Sequence, residues 1–80
     1  MVSAARAYEE IVDFLAAGTT PGTLVAFRPS EGTRARVSYL IDREKTDSLS
    51  SEERSELDHY LQLEHLMRLA KARARHLMTS

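Results

Sequence analysis

LVAFRPSEGTRARVSYLID, residues 24–42, admits two readings, and the choice between them decides the fold. In one, residues 24–27 form a strand and PSEG turns. Ala35, Val37, Tyr39 and Ile41 then make the inward face of a second strand, at the period of two that a half-buried strand shows. In the other, Ser30 caps a helix that begins at Glu31 and carries Val37, Leu40, Ile41 and Glu44 along one side. Gly32 weakens the helical reading by about 1 kcal/mol. The following run, IDREKTDSL (41–49), lacks strand character, and its first half continues a helix, so the helical reading is favoured.

The segments on either side are easier to read. Residues 4–17, AARAYEEIVDFLAA, place Ala4, Tyr8, Ile11, Val12 and Leu15 on one helical face, with Arg6, Glu9, Glu10 and Asp13 mostly away from it. Ser3 is a candidate cap, and Gly18 is placed to end the helix in a left-handed conformation. Thr20 before Pro21 is a second start signal, a capping hydroxyl followed by proline in the first turn, and predicts a short helix over 21–27. Ser50 and Glu53 have the spacing of a capping box. From there to about Leu77 no glycine or proline interrupts a run rich in Leu, Ala, Arg and Glu. Acids cluster in its first turns and bases in its last, which complements the helix dipole.

The expectation is therefore one all-α domain over residues 1–80, with three to four helices and a long C-terminal helix. Eighty residues bury a modest core, and such a domain often gains stability from a partner. The absence of cysteine removes disulfide and thiolate-zinc frameworks and fits a reducing compartment. No apolar run approaches the roughly 20 residues of a membrane span. MVSAARAYEE has no apolar signal core, so a cytoplasmic protein is expected.

Eleven Lys and Arg face twelve Asp and Glu, too even a balance for a general nucleic-acid binder. Their distribution says more. Between Asp42 and Glu64 eight acids outnumber three bases, and after Glu64 no acidic side chain remains.

No phosphate loop, nucleophile elbow or zinc-protease motif is present, and no enzyme and no cofactor are expected. Glu56 and His59, three apart, resemble half of a carboxylate-bridged metal site, which Glu64, His65, Glu9, Glu10 or Asp13 would have to complete. The motif is short in a chain rich in Glu, so charged surface residues are the favoured reading.

Tyr60, Leu63, Met67, Ala70, Ala74 and Leu77 alternate at steps of three and four, a narrow coiled-coil-like stripe. Leu57, Leu61, Leu66 and Leu69 lie outside or beside it. The first half of this stripe reads as core against the first helix. The second half is expected to exceed what the rest of the chain can cover. Leu63, Leu66, Met67, Ala70, Ala74 and Leu77, rimmed by Arg68, Lys71, Arg73 and Arg75, are thus the candidate partner-binding residues, since Arg and Met are favoured at interfaces. The same four bases are also a candidate phosphate strip, with no aromatic interleaved to stack a base. Their plainest reading is a solvated, dipole-matched helix end.

TTP at residues 19–21, FRPSE at 27–31, REKT at 43–46 and LDHYLQLEHLMRLAKARAR at 57–75 together resemble a family of small helical proteins common in cyanobacteria and some other bacteria. The likeness covers nearly the whole chain. Family members are often encoded beside an HNH endonuclease, in an arrangement like a toxin–antitoxin pair. The resemblance implies helix rather than hairpin in the middle, and an antitoxin that binds and inhibits the nuclease. The acidic Glu52, Glu53, Glu56 and Asp58 would then cover a basic DNA-binding surface by charge mimicry, and the basic end would meet an acidic rim. The alternatives are a structural homodimer and a DNA-binding regulator using the basic helix.

Overall fold

The computed structural model describes residues 6–79 of the chain. It is all-α, with α1 (Glu9–Ala16), α2 (Pro21–Ala26), α3 (Glu31–Lys45) and α4 (Ser51–Thr79), and no strand among the described residues. The ambiguous stretch 24–42 is thus the end of α2, an extended joint and most of α3. Ser30 settles the matter locally: its hydroxyl accepts from the Thr33 amide at 3.2 Å and opens α3 at Glu31.

The other local signals act as their chemistry dictates. Thr20 caps α2, its hydroxyl accepting from the Thr23 amide, with Pro21 in the first turn. Gly18 has a φ of +89°, the left-handed conformation expected just after α1. The capping box at the head of α4 is reciprocal. The Glu53 amide donates to the Ser50 hydroxyl at 3.1 Å, and the Ser50 amide donates to the Glu53 carboxylate at 3.0 Å.

Helix α1 departs from expectation in two ways. It begins at Glu9 rather than near residue 4, because residues 6–8 make a tighter turn in which the Glu9 amide donates to the Arg6 carbonyl. The Ala7 amide is drawn out of the helical pattern by the Glu56 carboxylate at 2.8 Å. The candidate cap Ser3 and the apolar Ala4 lie outside the described residues. The inward face is also rotated. Ala7 and Ile11 are buried and Phe14 is half-buried, whereas Val12 and Leu15 are exposed. Phe14 wins the inward position because it meets Phe27, ring centroids 4.4 Å apart, a contact with more apolar area than Val12 or Leu15 offers.

Helix α3 turns back onto the first half of α4, antiparallel to it. Arg43 approaches Glu53 at 3.7 Å, while Arg36, two turns earlier, meets Glu56. Leu40 and Leu57 are fully buried. The turn between the helices places Asp47 at φ 59°, with the Ser48 amide donating to the Arg43 carbonyl at 2.8 Å. This is the left-handed close that glycine favours. Asp47→Gly should raise stability by about 0.5 kcal/mol, since the Arg54 contact it removes is solvent-exposed and weak. A higher urea midpoint at unchanged slope is the expected reading.

The main core gathers Ala7, Ile11, Tyr60 and Met67, with Tyr8, Phe14, Leu24, Phe27, Val37 and Leu63 packed around it. Helix α2 lies against α4, with Lys71 in the second half of α4 donating to the carbonyl of Phe27 at the end of α2. At 1.5 Å per residue α4 is roughly 43 Å long, close to the full 47 Å extent of the molecule. The radius of gyration, 14.2 Å, exceeds the roughly 11.6 Å of a compact chain of this size. The long helix is the spine, and the other three cover it unevenly.

Candidate partner-binding surface

The ten residues singled out on α4 do not share one environment. Met67 and Ala74 are buried within the chain, and Leu63, Ala70 and Lys71 are half-buried. Leu66, Arg68, Arg73, Arg75 and Leu77 are exposed. The stripe from Tyr60 to Ala74 is therefore the seam of the protein's own core, and α2 is the element that reaches its second half.

A different row of apolar side chains is left outside. Leu66 is 51% exposed and Leu69 57%, with Leu77 at 57% farther along. Leu66, Leu69, Arg73 and Leu77 follow one another at steps of three and four, so they lie along one side of the helix. Leu69 belongs to this surface by geometry although the partner set built on the seam omits it. Its spacing to Leu66 was the available signal.

The bases divide between two sides. Arg73 stands within the exposed apolar row. Arg68, Lys71 and Arg75 lie on the other side of α4, one turn apart. Arg68 is paired to Glu64 at 3.2 Å. Lys71 is held across the fold: its ammonium donates to the Phe27 carbonyl at 2.7 Å and stands 5.8 Å from the Phe27 ring centroid. Burial pushes the Lys71 pKa down, and the nearby Arg28 and Arg75 guanidiniums push the same way. Arg28 joins this cluster from the joint between α2 and α3, which only the tertiary fold reveals.

Beside these bases a niche of about 110 Å³ opens between α4 and the joint. Ile11, Phe27, Pro29, Tyr60 and Met67 give it mainly apolar walls, and Glu64, Arg68 and Lys71 complete the lining. Burial raises the Tyr60 pKa, with Glu64 and Glu10 adding to the shift, so its phenol keeps its proton at neutral pH.

The acidic block is only partly available to a partner. Glu52 and Asp58 are exposed, but Glu53 is tied into the capping box. Glu56, expected on the surface, is buried and accepts three hydrogen bonds: from the Ala7 amide at 2.8 Å, from Arg36 Nε at 3.0 Å and from Arg36 Nη2 at 2.8 Å. The Arg36 hydrogen bond lowers the Glu56 pKa most, and the Ala7 amide and nearby charges add to it, against the upward pull of burial. Glu56 is thus a clamp joining the start of α1, α3 and α4. His59 Nδ1 lies 2.8 Å from the Ser55 carbonyl, and its ring sits 5.3 Å from that of Tyr8. Among the described residues no three His, Asp or Glu side chains gather as a metal site. No helix among them is long and apolar enough to cross a membrane.

The chain matches no protein-family profile, no curated protein and no solved structure.

Proposed function

We propose that this chain is a non-enzymatic binding protein that docks through the outer side of the second half of α4. The supporting observation is the exposed pair Leu66 and Leu69, with Arg73 one turn on, displayed on a helix whose Met67 and Ala74 side is fixed in the core. Large apolar side chains in a row with arginine are the composition of an interface centre. The resemblance supplies the partner: a nuclease of the HNH type, held inactive as the antitoxin holds its toxin. Arg73 would face acidic groups at the rim of the nuclease.

The test is co-expression of the tagged chain with the product of its neighbouring gene, followed by a DNA-cleavage assay. The expected result is a co-purified nuclease that is silent until this chain is removed. A neighbour that does not co-purify, or one that cleaves equally well with the chain bound, removes the inhibitor reading. A chain that forms a dimer by itself, and becomes monomeric with Leu66→Asp, assigns the apolar row to a second copy instead.

A further inference from the structure

The proposed docking row leaves the other side of α4 unused, and that side combines two features. One is the apolar-walled niche beside Phe27 and Met67. The other is the set of Arg28, Lys71 and Arg75. Lys71 and Arg28 both donate to the Phe27 carbonyl, at 2.7 and 2.9 Å, and Arg75 stands one turn beyond Lys71 on α4. None of the three takes part in an ion pair among the described residues. Glu64 is the only acid lining the niche, and Arg68 already holds it. An ammonium has three N–H donors. The Phe27 carbonyl takes one, which leaves the others for an anion.

From this juxtaposition we infer that the niche and its bases form a second binding surface, which takes an acidic peptide segment of a partner protein with one apolar side chain as its anchor. Charge complementarity fixes the sign of the segment. Size fixes the anchor: about 110 Å³ is less than the roughly 150 Å³ that holds a benzene ring, so it suits a leucine or valine side chain. Nucleic acid fits less well. A bound base needs an open aromatic face, and of the two aromatic rings in the niche, Phe27 is packed against Phe14 and approached by Lys71, while Tyr60 is buried in the core.

The test is an amide NMR titration of the full chain with the acidic peptide Ac-EELEE-NH2. The controls are Ac-EEGEE-NH2, Ac-KKLKK-NH2 and an oligothymidylate. The expected result is saturable shifts at Phe27, Arg28, Glu64 and Lys71 with the first peptide. Binding should be at least about tenfold weaker with the glycine peptide, and absent with the lysine peptide. Arg75→Gln, at an exposed position, should weaken the acidic peptide severalfold and leave the thermal midpoint unchanged. The inference is overturned if these amides do not shift, or if the glycine peptide binds as well as the leucine one. It is also overturned if the oligothymidylate occupies the same amides more tightly than the acidic peptide, which assigns the bases to nucleic acid.

Discussion

Met67→Asp should unfold the protein, whereas Leu66→Asp, one residue away, should leave it folded. The two side chains occupy adjacent positions on the same helix, and the sequence places both in one candidate partner set, although only Met67 falls on the three-four stripe. Met67 is 4% exposed in the main core, while Leu66 lies half in solvent. Placing a carboxylate at position 67 requires a charge with no partner in an apolar cluster, or a proton taken up to neutralise it, and either costs several kcal/mol. A domain of this length is stable by about 4–12 kcal/mol, so most or all of its stability is at stake. At position 66 the carboxylate stays hydrated, and the expected change is within about 0.5 kcal/mol. Circular dichroism and a urea titration of both variants read the difference directly. Equal loss of structure in the two would mean that Leu66 is also core.

The second large effect lies at the Glu56 clamp. Arg36→Leu should destabilise the fold by about 3 kcal/mol, because it leaves a buried carboxylate with only the Ala7 amide. The figure sits at the low end for a broken buried pair, since Arg36 itself is partly exposed and solvent screens its side of the contact. Glu56→Gln should cost less, about 1–3 kcal/mol, because the Arg36 left behind can turn to water. The pH dependence has a defined sign. The folded Glu56 pKa lies below its unfolded value, about 4.3 for a free glutamate side chain. Its contribution is therefore fully present above that value and lost as pH falls through it to the lower folded value. Wild-type stability should drop over this acid range, and Glu56→Gln should flatten the drop. An equal slope in wild type and variant would show that other carboxylates govern acid unfolding.

Much of the fold was legible because its decisive signals are local. Thr20 with Pro21, Ser30, and Ser50 with Glu53 each act within three residues of themselves, and a reader of the sequence sees both ends of every such bond. What escaped is long-range. Glu56 looks like any solvated acid on a charged helix. Its partners are 20 and 49 residues away, and nothing in its own neighbourhood announces them. The inward turn of Phe14 depends on Phe27 in another element. The partner set on α4 failed to separate for the same reason. Helical spacing groups side chains by direction, but it does not tell whether α2 or solvent lies in that direction. Hence Met67 and Ala74, which belong to the core, were grouped with Leu66 and Arg73, which do not.

The division of α4 into a buried seam and an outer docking row is the centre of the functional account. The most direct test is co-purification of the neighbouring gene product with tagged wild-type chain and with the Leu66→Asp, Leu69→Asp double variant. The account predicts that the double variant remains helical and melts cooperatively, yet binds the partner at least about thirtyfold more weakly and recovers little of it. A folded double variant that retains the partner at wild-type stoichiometry would contradict it, and would move the interface to another face of the molecule.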